Sequence, residues 1–335
     1  MTKDLTVLAD ARWDGDTGIG RVYREIEKRT PSRIKIQKVT DNFSLGHPLS
    51  PLLLAKQVKD HHCDVFWSPS FMPPFQPKVP AVITVHDVLH LYFYSKAHAF
   101  YMRYFLAPLF KKLSTVITVS EFTKKLLLDE LGLSEHLVTV VYNGVDDSFF
   151  ANDFSLKLDR PYVLYVGNRR SYKNLERMME AFAKASISRD TVFAISGDPS
   201  EHLEKKIAKI GLKDRVYFLG HIDEKSLPGV YKGASALFYM SLMEGFGLPV
   251  IEAMASGTPV VTSNTSSLSE ISAGAAALCD PYNIEGMATK LELVLNDINY
   301  RAELQEKGFR NAKRFSWENT ARQTWEIVQR SVISH

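Results

Sequence analysis

The chain has 335 residues, 45% of them hydrophobic and 24% charged, a composition that excludes a disordered or fibrous protein and a length that exceeds one typical core. Its net charge is only +3 and no block of like basic residues occurs, so nothing in it marks a nucleic-acid partner. No stretch reaches the ~18 apolar residues that a membrane span requires. Cys63 and Cys279 show no metal or disulfide spacing, and no apolar signal region opens the chain. The expected address is therefore the cytoplasm.

Short β-branched or aromatic runs recur at 6–9, 34–39, 65–68, 82–85, 116–119 and 138–142, separated by longer helical patterns. The series restarts at 162–167 and continues through 192–197, 216–220, 236–240, 259–262 and 276–279. Mostly apolar strands alternating with helices predict parallel sheets covered on both faces, here in two Rossmann-like α/β domains with a cleft between them. The Asn143-Gly144 turn and the polar stretch to Arg160 mark the linker. The expected division is 1–150 and 151–316, with a last helix over 317–333 that has no strand to serve and is expected to join the first domain.

Four segments can carry chemistry. Asp16-Thr17-Gly18-Ile19-Gly20-Arg21 opens a helix after the first strand, and reads either as a phosphate-cradling turn or as an ordinary tight turn. Val85 is followed by His86 and Asp87 at the end of a buried strand, where a ligand or a structural hydrogen bond would suit the imidazole. Asp87 would orient that ring or cap the next turn. Gly167-Asn168-Arg169-Arg170-Ser171-Tyr172-Lys173-Asn174 follows the first strand of the second domain, at the carboxyl edge where open α/β sheets bind ligands, and its cations suit a diphosphate. Ser241-Leu242-Met243-Glu244-Gly245-Phe246-Gly247-Leu248-Pro249-Val250-Ile251-Glu252 joins an apolar strand to an apolar helix. Its glycines allow a turn that presents N–H groups, Pro249 suits a helix start, and the helix N-terminus attracts anions. Glu252 is expected in the first helical turn, where it binds a ligand or complements the helix dipole.

Together these segments resemble glycosyltransferase family 4, of the GT-B fold, and within it the bacterial polysaccharide mannosyltransferases. The likeness runs through Thr17 to Arg21, Val85-His86-Asp87, Val119 to Thr123, Tyr142 to Asp146, Tyr165-Val166-Gly167 with Lys173-Asn174, the Glu-x7-Glu segment from Glu244 to Glu252, and Phe315-Ser316-Trp317-Glu318. The resemblance implies a retaining hexosyltransferase that moves mannose from GDP-mannose to a glycan acceptor in O-antigen, capsule or lipopolysaccharide biosynthesis. It implies that Glu244, with Gly245, Phe246, Gly247 and Leu248, holds the donor sugar and phosphates, and that Glu252 binds the ribose. Lys173 matches the lysine that neutralises the diphosphate. The family's arginine after Gly167 is Asn168 here, so Arg169 is the expected substitute. His86 matches the histidine near the transferred sugar, Gly18 and Gly20 the loop at the diphosphate, His221 and Ile222 the position beside the base, and Asp87 falls on the acceptor side.

No Asp or Glu nucleophile is evident in the first domain, so the expected mechanism is same-face substitution with electrostatic stabilisation of the leaving diphosphate. No cofactor is expected beyond the nucleotide-sugar substrate. No metal site is expected either, since His61-His62-Cys63-Asp64 alternate in direction along a strand. The segment 91–110 carries Tyr92, Phe93, Tyr94, Phe100, Tyr101, Tyr104 and Phe105 with Lys96 and Arg103, and reads as core, lid or peripheral contact with the inner face of a membrane bearing a lipid-linked acceptor. The alternatives are a UDP-sugar-dependent transferase of the same fold and a catalytically silent donor-binding homologue. A nicotinamide-dependent oxidoreductase lacks its Gly-x-Gly-x-x-Gly fingerprint.

Overall fold

A computed structural model describes residues 4–39, 43–45 and 47–333. The chain divides into two compact units, the first comprising residues 1–144 with 316–335 and the second residues 145–315.

In the first unit, strands β1 (Leu5–Ala9), β2 (Ile34–Lys38), β3 (Val65–Ser68), β4 (Ala81–Val85), β5 (Thr115–Thr118) and β6 (Val138–Val140) form one parallel sheet in the order β2-β1-β3-β4-β5-β6. Helices α1 (Gly18–Lys28), α2 (Ser50–Asp60), α3 (Lys96–Tyr101), α4 (Ala107–Phe110) and α5 (Glu121–Leu131) belong to it. Helix α1 forms because Val22, Tyr23 and Ile26 share one buried face and Thr17 caps it, its Oγ1 accepting from Gly20 N at 3.1 Å. A π-helical turn, Met102–Leu106, joins α3 to α4. There the aromatic segment divides, with Met102, Leu106 and Phe110 in the core while Phe100, Tyr104 and Phe105 are 57%, 66% and 60% exposed.

The second unit carries α6 (Asp147–Ala151), β7 (Tyr162–Tyr165), α7 (Leu175–Lys184), β8 (Val192–Ile195), α8 (Glu201–Lys209), β9 (Val216–Phe218), α9 (Leu227–Gly233), β10 (Ala236–Tyr239), α10 (Leu248–Ala255), β11 (Val260–Ser263), α11 (Ser266–Ser272), β12 (Ala277–Cys279), α12 (Ile284–Asn296) and α13 (Ile298–Ala312). Its parallel sheet runs β12-β11-β10-β7-β8-β9. Strands β7, β8, β10 and β11 are buried along their whole length, which is why they read as continuous apolar runs.

Every expected run forms a strand, but several end earlier than their apolar pattern. Strands β7, β8 and β9 stop short of Gly167, Gly197 and Gly220, whose φ values of 147°, 82° and 65° turn the chain out of the sheet. The division also falls earlier than residue 150. Helix α6 packs against α9 and α10, Phe149 lying 5.9 Å from the Tyr231 ring, so residues 145–150 belong to the second unit.

Helix α14 (Trp317–Ile333) belongs to the first unit. Trp325 packs 5.0 Å from Trp67 and donates its indole N–H to Ile26 O, while Thr320 donates to Tyr142 O. Gly144 lets the helix start approach, because a Cβ there would stand 2.3 Å from Trp317 N.

Candidate functional site

The sheet order of the second unit places its chemistry. Strands β7 and β10 are neighbours, yet the chain leaves β7 for β8 on one side and β10 for β11 on the other. The loops after them therefore meet at a topological switch point, where open α/β sheets bind ligands. Leu242 N donates to Tyr172 O at 2.8 Å, and Asn174, at φ 62°, donates its side-chain amide to Met240 O and Pro281 O. These bonds bring Lys173 and Glu244 together.

Lys173 and Glu244 are each only 8% exposed. Lys173 Nζ donates to Glu244 Oε1 and to the Tyr239 hydroxyl, both at 2.6 Å, and that hydroxyl donates to Glu244 Oε1 at 2.8 Å. Burial opposes the lysine charge, but Glu244 and Tyr239 outweigh it and hold the ammonium well above the usual lysine range. Burial, reinforced by Glu244, raises the Tyr239 phenol well above its ordinary value, so it remains a donor. The triangle presents a fixed cation and a fixed carboxylate from a dry setting.

The Glu244 loop is shaped from below by the start of α11. Ser267 Oγ lies 2.9 Å from Glu244 O and 2.8 Å from Phe246 O, and Ser266 Oγ accepts from Glu244 N at 3.3 Å. Gly247 precedes α10 at φ 109°, and a Cβ there would meet Leu268 Cδ2 at 2.6 Å, so only glycine fits. No side chain caps α10, whose first turn includes Pro249 and leaves half-buried Leu248 at the edge. The first turn contains no acid: Glu252 is the fifth residue of α10, just past the first turn where it was expected, and is not placed as a dipole complement. It is buried, and Tyr231 donates to its Oε2 at 2.9 Å. Both carboxylates of the Glu-x7-Glu segment thus accept from a buried tyrosine, and sequence patterning singled out neither Tyr239 nor Tyr231.

The guanidinium of Arg169 does not face the triangle as an open fork. It donates through Nη2 to Ser196 O at 2.9 Å and through Nη1 to Asp198 O, and lies 5.3 Å from the Phe218 ring centroid. These two donors hold the guanidinium on the β8 loop in this structure. Gly167 N donates to Ser196 Oγ at 3.1 Å. His221 is exposed and Ile222 half-buried just beyond Gly220, on the same carboxyl edge at β9.

In the first unit, Gly20 and Gly18 differ. A Cβ on Gly20 would stand 2.0 Å from Gly15 O, whereas one on Gly18 would meet nothing within 4 Å. Gly20 is required by packing, and Gly18 leaves an open approach. His86 Nε2 lies 2.7 Å from Pro69 O, and a carbonyl only accepts, so Nε2 carries the proton and Nδ1 the lone pair. Burial lowers the His86 pKa against the opposing effects of Pro69 and Asp87, which keeps the ring neutral near pH 7. Asp87 does not orient the ring by a hydrogen bond that the structure records; its Oδ1 accepts from Leu89 N at 3.0 Å and caps the following turn. Among the described residues no group of three His, Cys, Asp or Glu is placed to hold a metal ion, and Asp64 accepts from Thr6 N at 2.8 Å. Among the described residues no helix is long and apolar enough to cross a membrane.

Comparison with known proteins agrees with this architecture. Residues 13–149 match the model of Glycosyltransferase Family 4, and residues 146–311 that of Glycosyl transferases group 1. The chain is 24% identical over 299 residues to O-antigen chain mannosyltransferase B of Escherichia coli, covering 84% of this chain and 77% of that one. It is 32% identical over 202 residues to O-antigen chain mannosyltransferase RfbU of Salmonella typhimurium, covering 59% of this chain and 56% of that one, so it spans little more than half of this relative. Among solved structures, Anabaena HepE in complex with UDP-glucose superposes with a TM-score of 0.80 at 20% identity, over 97% of this chain and 99% of the other. The chain belongs to the family 4 glycosyltransferases, with the GT-B fold.

Proposed function

We propose that this glycosyltransferase is a retaining hexosyltransferase that transfers mannose from GDP-mannose to an oligosaccharide or lipid-linked glycan acceptor in O-antigen, capsule or lipopolysaccharide biosynthesis. The observation that carries the donor side is the buried Lys173–Tyr239–Glu244 triangle beside the uncapped start of α10. The mannosyltransferase names of the relatives support the sugar. A UDP sugar is the second reading, because HepE, which shares the fold, was solved with UDP-glucose.

In this reading the arriving diphosphate draws the Lys173 ammonium from Glu244 while the Tyr239 hydroxyl keeps the carboxylate oriented. Glu244 then accepts from hydroxyls of the sugar, and the N–H groups of Gly245 to Leu248 bind phosphate oxygens. Glu252, held by Tyr231, takes the ribose hydroxyls; His221 and Ile222 flank the base. In the first unit Gly18 gives the diphosphate a close approach, and His86 offers Nδ1 to a hydroxyl of the transferred sugar. Lys173 and the helix start stabilise the departing diphosphate, one of whose oxygens receives the acceptor proton as the new bond forms on the same face. These groups replace a divalent ion, so transfer is expected to persist in chelator.

Phe100, Tyr104 and Phe105, exposed beside Lys96 and Arg103, support peripheral contact with the cytoplasmic face of a membrane. Flotation with anionic vesicles tests this contact, and loss of binding in a Phe100, Tyr104 and Phe105 triple alanine variant is the expected result.

A thermal-shift panel of GDP, UDP, ADP and their sugar conjugates tests the donor, because a ligand of the folded state alone raises stability by RT ln(1 + [L]/Kd). Selective stabilisation by GDP-mannose is expected. Selective stabilisation by a UDP sugar establishes the second reading, and no shift with any of them contradicts the donor site.

A further inference from the structure

The turns at Gly167, Gly197 and Gly220 leave the second unit's sheet side by side, because β7, β8 and β9 are neighbours in it. One side chain ties the three together. Half-buried Arg169 stands two residues past Gly167 and reaches the β8 loop, where Nη2 donates to Ser196 O at 2.9 Å and Nη1 to Asp198 O. Its central carbon lies 5.3 Å from the ring centroid of Phe218, the last residue of β9. A Cβ at Gly197 would stand 3.2 Å from Arg169 Nη2, so a side chain there would crowd the guanidinium.

The β8 and β9 loops are bonded to each other at the same place. Gly197 N donates to Gly220 O at 2.7 Å, in an antiparallel bridge formed where both glycines turn at positive φ. Asp198 packs on that bridge, since a Cβ at Gly220 would lie 3.5 Å from its Oδ1. His221 and Ile222 follow Gly220 directly, so the contacts that fix Gly220 also fix where their loop begins. Lys173 is occupied elsewhere, on Glu244 and Tyr239.

The chemistry of Arg169 is that of a fork. Its two acceptors are neutral carbonyls two residues apart, and a planar guanidinium meets such a pair with parallel N–H groups while a ring covers its face. A lysine at the same place would keep the charge and lose the fork. We infer that Arg169 is a positioning residue for recognition of the nucleotide base: it clamps the β8 loop to β9 and so sets the place from which His221 and Ile222 meet the base, while Lys173 and the start of α10 serve the diphosphate that all nucleoside diphosphates share. The inference rests on the donor-site reading given above and names the side chain that tunes its selectivity.

Two measurements on the full chain test it, with each variant first shown by circular dichroism to be folded. Hydrogen–deuterium exchange without nucleotide reads the clamp itself: the Gly197 amide, bonded to Gly220 O, should exchange faster in Arg169→Met and in Arg169→Lys than in wild type. Calorimetric titration of GDP, UDP and ADP reads the consequence. Arg169→Met should weaken the preferred nucleotide about tenfold, as for loss of charge-assisted hydrogen bonds, and narrow its advantage over the other two. Arg169→Lys should lose as much, because it keeps the charge and not the fork, whereas Lys173→Ala should weaken all three by a common factor. Unchanged exchange at Gly197 overturns the clamp. An equal loss for all three nucleotides in Arg169→Met, largely restored in Arg169→Lys, overturns the positioning role and makes Arg169 a diphosphate contact. The donor reading fails separately: wild type that binds none of the three removes it and the base role with it, while selective wild-type binding matched by both Arg169 variants overturns the role of Arg169 alone.

Discussion

Replacing Lys173 by Met would leave the Glu244 carboxylate, 8% exposed, with the Tyr239 hydroxyl but without its counter-charge. Breaking one side of a buried ion pair costs about 3–5 kcal/mol, whereas exchanging both partners for apolar residues of similar size is often neutral or stabilising. At roughly 2–4 °C per kcal/mol for a domain of this size, Lys173→Met should lower the melting temperature of the second unit by on the order of 10 °C. Glu244→Leu should be costly for the mirror-image reason, because it strands a buried ammonium. The double variant should recover most of the loss, yet bind no nucleotide sugar, which separates folding from function. Circular dichroism melts of the four proteins without ligand measure the cycle. Single variants within about 0.5 kcal/mol of wild type, or a double variant whose cost is the sum of the singles, would refute the buried coupled pair.

Tyr239→Phe and Tyr231→Phe keep ring packing and remove one hydroxyl each from Glu244 and Glu252, so transfer should fall by about tenfold or more, consistent with the 1.5–3 kcal/mol typical of hydrogen bonds to charged groups. Steady-state kinetics at saturating acceptor check this, and rates equal to wild type would remove both tyrosines from the site. Gly20→Ala should destabilise the first unit through its clash with Gly15, while Gly18→Ala should leave melting unchanged and weaken donor binding, as paired melts and titrations would reveal. His86 has a folded pKa below its ordinary 6.5, so its contribution to stability is complete above that pH and is lost as pH falls through the lower folded value. The wild-type melting temperature should therefore decline more steeply than that of His86→Asn on acidification from about pH 7 to about pH 5; parallel curves would contradict the burial of a neutral ring.

The strands were legible because burial on both faces leaves continuous apolar runs such as Val192–Ile195. Their ends were less so, since Gly167, Gly197 and Gly220 turn the backbone away before the apolar pattern expires. The boundary at residue 150 followed the lapse in periodicity, but α6 takes its membership from packing on α9 and α10, a long-range contact that no local pattern carries. Lys173 and Glu244 were legible as motif residues. Tyr239, by contrast, ends an apolar strand and reads as core until its hydroxyl is seen between them. Arg169 shows the opposite limit: charge and position suited a diphosphate, while the carbonyls of Ser196 and Asp198 that occupy its guanidinium lie 27 and 29 residues away. Glu252 was placed in the first turn, but α10 already begins at Leu248, before Pro249, which makes Glu252 its fifth residue.

Calorimetric titration of GDP, UDP and ADP into the wild-type chain and into Lys173→Ala tests the donor site most directly. One nucleoside diphosphate should bind the wild type selectively, and Lys173→Ala should bind it roughly 10–100-fold more weakly, as expected for loss of a charge-assisted contact in a buried site. No binding by any of the three, or equal affinity in the variant, would contradict the assignment of the Lys173–Tyr239–Glu244 triangle to the donor diphosphate.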